Sequence, residues 1–147
     1  MISTAMASTV PNPKDDRIYL DKPYVSIGWV SDGGWVLVEW KEWADSAEYR
    51  AAHETILLAI RENHASKNLI DATHARVVSV ADQKWLIDNW IPRAVAAGRR
   101  TTAVVMPKSA LGRTISENID KEARSDVTRV EYFDTAVEAA AWLSTVN

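Results

Sequence analysis

Along this chain the apolar positions alternate every second residue in some stretches and recur every third or fourth in others. Those changes of period mark out the elements. "RIYLD" (17–21) and "YVSIGWV" (24–30) read as strands, and "SDGG" separates the second of them from "WVLVEW" (35–40). Two β-rich runs around Asp-Gly-Gly predict a hairpin, because glycine supplies the positive φ of a tight turn. Val25, Ile27 and Trp29 share a face of the first arm. Trp35 and Leu37 share one face of the second, with Val36, Val38 and Trp40 on the other. Apolar residues on both faces predict a sheet that is covered on both sides.

The longest helical signal is residues 45–66, where Tyr49, Ala52, Ile56 and Ile60 form one stripe and Asp45 or Ser46 caps the first amides. "NLID" (68–71) is a short buried strand. Ser79, with Asp82 three residues on, starts a second helix that runs to about Ala97 and stops at Gly98. On its wheel Val80, Ile87, Ile91 and Ala94 make the core stripe, and Trp90 lies at the edge. Trp85 falls nearly opposite, with Ala81, Pro92 and Ala96. Pro92 removes one helix bond and predicts a kink. "TTAVVMP" (101–107) is another buried strand. Ser109 caps a third helix with Leu111, Ile115 and Ile119 spaced by four. "VTRVEYF" (127–133) alternates like an edge strand, and Asp134 or Thr135 caps a last helix, "AVEAAAWLS". Strands alternating with helices after an opening hairpin predict an α/β fold: a mixed β-sheet with an N-terminal hairpin followed by βα units, helices packed on the sheet.

Length and composition narrow the classes. At 147 residues the chain suits one domain, with residues 1–15 read as a flexible tail and 16–147 as the folded unit. It holds no cysteine, which excludes a disulfide framework, a thiolate zinc site and a cysteine nucleophile together. A formal net charge of −3 argues against generic nucleic-acid binding, which needs a basic field. The opening "MISTAMASTVPNPKDD" lacks the basic and apolar regions of a secretory signal, and no apolar run approaches the length of a membrane span. These features fit a cytoplasmic protein.

"VEWKEWADSAEYRAAHETIL", "NLIDATHARVVSVADQKWLIDNWIPRAVAAG" and the late "AWL" resemble the SpoIIAA-like superfamily, the group that includes STAS domains and the anti-sigma-factor antagonists. The resemblance covers about residues 17–145 and implies the same α/β fold. In the partner-switching antagonists a strand ends in Asp-Ser-Ser-Gly, and a serine there is phosphorylated by a cognate kinase. Here Asp71 matches the leading aspartate, Ala72 and Thr73 follow, and no glycine comes next. The resemblance thus makes Thr73, or the helix-starting Ser79, the position for a phosphate.

Several groups are candidates for a site. Asp71, Thr73, His74 and Ser79 form a loop at the carboxyl end of a central strand, where α/β proteins tend to keep their chemistry. Lys108, Ser109 and Arg113 place cations at a helix N-terminus, a possible anion site beside that loop if the two strands are neighbours. The stripe of Ala81, Trp85, Pro92 and Ala96 is a possible interface for a second subunit or an apolar ligand. Trp40 and Trp43 pack at a strand end or wall a pocket. His53 reads as a hydrogen-bonded packing residue and His64 as a helix-ending one. No metal or cofactor motif accompanies them, nor any catalytic motif. The resemblance, which extends to the bacterial STAS/SEC14-type proteins of that superfamily, implies together with the Trp85 stripe a non-catalytic regulatory or small-apolar-ligand-binding module, self-associating as a homodimer. The alternative is a phosphorylation-controlled switch with a regulatory protein partner, and the third reading is a small enzyme.

Overall fold

In a computed structural model, residues 15–146 are described; the tail expected over 1–15 lies outside them except for Asp15. Within that span the chain forms β1 (Arg17–Lys22), β2 (Val25–Val30), β3 (Trp35–Trp40), α1 (Ser46–Asn63) and β4 (Lys67–Asp71). There follow a composite helix α2 (residues 80–96), β5 (Thr101–Val105), α3 (Ala110–Ala123), β6 (Arg129–Phe133) and α4 (Ala136–Thr145). The strands form one mixed sheet in the order β1-β2-β3-β4-β5-β6. The β1–β2 and β2–β3 pairs are antiparallel, and β3 through β6 run parallel. This is the α/β architecture that the alternation of periods predicts.

Local chemistry explains most boundaries. Gly34 sits at φ 76 in the hairpin loop, where its N–H donates to the Val30 carbonyl at 2.8 Å. Asp45, not Ser46, caps α1: its carboxylate accepts from the Glu48 N–H while Glu48 reaches back to the Asp45 N–H, a reciprocal capping box. Ser79, Ser109 and Thr135 each accept from a backbone N–H three residues on and start α2, α3 and α4.

Parallel neighbours in sequential order need crossovers of one hand, and such crossovers put successive helices on the same side of the sheet. Accordingly α1, α2 and α3 share one face with Val36, Val38, Trp40 and Ile70. Among the described helices α4 alone lies on the other, against Trp35, Leu69, Ala103 and Val105. The alternation read for β3 is therefore correct, but the hairpin is not covered evenly on both sides. α4 reaches Trp35, Val30 and Leu37, while Ile18 of β1 stands 75% exposed.

The stripe read for the second helix is corrected. Its buried residues are Asp82, Leu86, Trp90 and Ala94, and Val80 is 80% exposed. A spacing of four drifts around a regular α-helix. Here the segment Leu86–Trp90 is a π turn, closed by the Ile91 N–H on the Leu86 carbonyl, which widens the helix and keeps the four residues in line. Pro92 sits in the first turn of the α-helical segment that follows, Ile91–Ala96. The π turn lies immediately before the proline, at the point where the N–H that Pro92 lacks interrupts a regular helix ladder.

The Trp90 indole Nε1 donates to the His53 carbonyl at 2.6 Å and so clamps α2 to α1. Trp90→Phe keeps an aromatic ring in place but removes that hydrogen bond between the helices, and should lower stability by about 1–3 kcal/mol. A urea midpoint that falls at unchanged slope is the expected result.

Candidate functional site

α1 and α2 are held together by polar groups in an aromatic setting. Asp82 of α2 accepts from Ser46 Oγ at 2.7 Å and Arg50 Nε at 2.9 Å, both on α1. Burial alone would push its carboxyl up; the hydrogen bonds from Ser46, Arg50 and Ser79 outweigh that and leave it below the usual carboxylate range. The Arg50 guanidinium also lies over the Trp85 ring at 5.2 Å. Trp40 stacks on Tyr49 and His53 at 5.3 and 5.5 Å, and His53 meets Trp90 edge-on at 4.9 Å. The His53 Nδ1–H donates to the Tyr49 carbonyl at 2.9 Å, which leaves Nε2 as an acceptor.

α3 is bound less closely. Gly112 is its buried residue, pressed so near Pro107 that an added Cβ would come within 2.9 Å of the proline Cβ. Ile115 and Ile119 are only partly buried, and Leu111 is exposed. Between α3, α2 and the sheet runs a cavity of about 410 Å³, within the range of about 300–1,000 Å³ usual for small-molecule sites. Its floor is Ile70, Thr102, Val104 and Val130 of the sheet, and its walls are Leu86, Trp90 and Ile91 of α2 with Ile115 and Ile119 of α3. Trp40, Trp43, Arg76, Val77 and Pro107 surround it near the carboxyl ends of the strands. Trp43 and Val77 there are 61% and 50% exposed, so this end of the cavity has apolar side chains facing solvent.

Towards the amino ends of the parallel strands the lining turns polar. Gly98, at φ 119, closes α2 with its N–H on Val95, and the Arg99 N–H reaches back to the Ala94 carbonyl at 3.0 Å. In this termination the residue after the glycine often makes an apolar contact. Here it is Arg99, partly buried and lining the cavity. Burial pushes its guanidinium down to about 10, partly offset by Asp120, so it is charged at neutral pH. Asp120 is itself engaged, paired with Arg124 at 3.5 Å and accepting from the Tyr132 hydroxyl. Burial first, and Asp120 second, push that phenol upwards. Thr102 is 2% exposed, its hydroxyl has no partner among the described residues, and it too lines the cavity. The arrangement can enclose an apolar body and offer it one unpaired cation, a hydroxyl and a neutral imidazole.

The predicted site residues fall mostly elsewhere. Asp71 shares the α4 face of β4 with Leu69, and its Oδ1 accepts from the Thr73 N–H at 3.0 Å and the Thr73 hydroxyl at 2.6 Å. That is a self-contained turn. His74 is exposed, and Ser79, the cap of α2, is the one member of that loop set on the cavity lining. The β4 and β5 loops do adjoin: the Lys108 N–H points to the Thr73 carbonyl at 3.4 Å. Ser109 is committed to Gly112, while Arg113 donates to the Pro107 carbonyl at 2.9 Å and lies 3.8 Å from Asp134. Trp85 is not opposite the core: it is half-buried on it, edge-on to His53 at 5.9 Å. Ala81, Pro92 and Ala96 are exposed. Trp40 packs at the strand end against Tyr49, Trp43 is exposed, and both lie on the cavity lining. Arg99 and Thr102 were not singled out from the sequence. The available signal was polar Asn68 and Thr102 inside strands that should be continuously apolar; the two are register partners, 1% and 2% exposed.

Among the described residues no helix is long and apolar enough to cross a membrane. No family model, curated protein or solved structure matches this chain.

Burial pushes the His53 imidazole down to about 4. An unfolded histidine titrates near 6.5, so between about pH 6.5 and 4 the unfolded chain binds the extra proton and stability falls as pH falls. The urea midpoint should drop between about pH 7 and pH 5, and the drop should shrink in His53→Gln. An equal drop in both proteins would assign the effect to other groups.

Proposed function

We propose that this protein is a non-catalytic binding module that encloses a small apolar molecule between its sheet and the helices α2 and α3. One observation carries the reading: the cavity of about 410 Å³, floored and walled largely by Ile, Val, Leu and Trp side chains. A core closes such volume when it can, because unfilled apolar space forfeits dispersion contacts and costs stability. A space of this size, lined by apolar side chains beneath a loosely docked α3, fits a bound molecule. The exposed Trp43 and Val77 at one end supply an apolar approach from solvent.

The site is thus displaced from the stripe around Trp85, where a ligand or second subunit was expected. Trp85 is occupied by contacts within its own chain. A homodimer through that stripe would have only Ala81, Pro92 and Ala96 left to use, which offer little apolar area.

Native mass spectrometry of gently purified protein, beside its denatured mass, reads ligand and subunit number together. The expected result is added mass that denaturation releases. Ile115→Trp, which fills the cavity from α3, should abolish the added mass while thermal stability stays within a few degrees, roughly 1 kcal/mol. Wild type without added mass, together with no binding of any apolar probe, would overturn the reading.

A further inference from the structure

We propose that the molecule taken into this cavity is an aliphatic monocarboxylate, its carboxylate held by Arg99 and Thr102 and its chain lying along Ile70, Val104, Ile115 and Ile119. The assignment rests on the cavity being a binding site and adds the chemistry of the ligand's head.

Five charged side chains line the cavity: Glu42, Arg76, Asp82, Arg99 and Asp120. Asp82 is neutralised by Arg50 and Asp120 by Arg124, both from outside the lining. Glu42 and Arg76 are exposed and need no partner beyond water. Arg99 remains, a partly buried guanidinium with no hydrogen bond from its side chain to any described residue. Its nearest named charge is an aspartate already paired elsewhere. A guanidinium carries five donors and no acceptor, so those of Arg99 that meet no described residue are free for an anion entering the cavity. The neighbouring Arg100 bonds the Val95 and Arg99 carbonyls, so the helix end does not depend on Arg99.

The Thr102 hydroxyl is a second donor on the same lining, buried and without a partner among the described residues. A planar guanidinium fork and one hydroxyl match a carboxylate. One cation beside an aspartate suits a single negative charge, and a phosphate dianion would be left partly uncompensated. His53, also on the lining, is neutral above about pH 4 and does not alter the count. The rest of the lining between Arg99 and the Trp43 end is dominated by branched aliphatic and aromatic side chains, suited to a hydrocarbon chain.

Calorimetric titration of the whole chain with dodecanoate, dodecanol and dodecylamine, each below its micelle threshold, tests the assignment. Wild type should bind dodecanoate at least about tenfold more tightly than dodecanol, and dodecylamine most weakly. Arg99→Gln should bring dodecanoate down to the level of dodecanol and leave dodecanol unchanged, while Arg99→Lys should keep part of the preference. Equal affinities for the acid and the alcohol in wild type, or a preference that survives in Arg99→Gln, would overturn the assignment and leave the apolar pocket standing. Failure of all three probes to bind wild type would overturn both. The wild-type ranking decides the matter alone if Arg99→Gln does not fold.

Discussion

The hydrogen bond from the Trp90 indole to the His53 carbonyl, 2.6 Å long and buried, determines where the second helix can lie. A buried indole N–H left without an acceptor is costly, so Trp90 cannot slide along α1 without losing that partner. Around the bond, Trp40, Tyr49, His53 and Trp85 form an aromatic cluster, and the Asp82–Arg50–Ser46 contacts pin the start of α2 to the start of α1. The π turn at Leu86–Trp90 lets four residues spaced by four face this cluster together.

That docking has a consequence for the other half of the sheet. Crossovers of one hand place α1, α2 and α3 on one face, but α2 is drawn towards α1 by the cluster. α3 is anchored at its first turn, through Gly112 against Pro107, and its later turns only half-bury Ile115 and Ile119. The space above β4, β5 and β6 is therefore roofed but not filled. The Gly98 turn at the end of α2 delivers Arg99 to its polar end, and Trp43 and Val77 lie at the other.

Much of this was legible along the chain, and the reason is locality. The caps at Ser79, Ser109 and Thr135, the hairpin glycines and the two faces of β3 each depend on residues within one element, so their pattern survives folding. What was not legible depends on docking between elements. The stripe on α2 was misplaced because the docking on α1 buries Asp82, which bonds Ser46 and Arg50, in place of Val80, and a π turn then follows, neither of which a wheel drawn at a fixed angle anticipates. The strand-end loop of Asp71, Thr73 and His74 looked like a site because such loops often are, yet the pleat turns Asp71 to the α4 face, away from the cavity. The cavity itself draws Arg99, Thr102, Ile115 and Ile119 from separate segments, and only Ile115 and Ile119 are linked by a spacing. Only the polar Asn68 and Thr102 in otherwise apolar strands, and an arginine where a helix stop often carries an apolar residue, gave a local hint.

The central claim is spatial: a hydrocarbon chain lies between α3 and the β4–β6 part of the sheet. It is tested most directly by intermolecular nuclear Overhauser effects between a bound twelve-carbon probe and assigned methyl groups. The account predicts contacts to Ile70, Val104, Ile115 and Ile119. Contacts confined to the outer stripe of Ala81, Trp85, Pro92 and Ala96, or none at all, would contradict it.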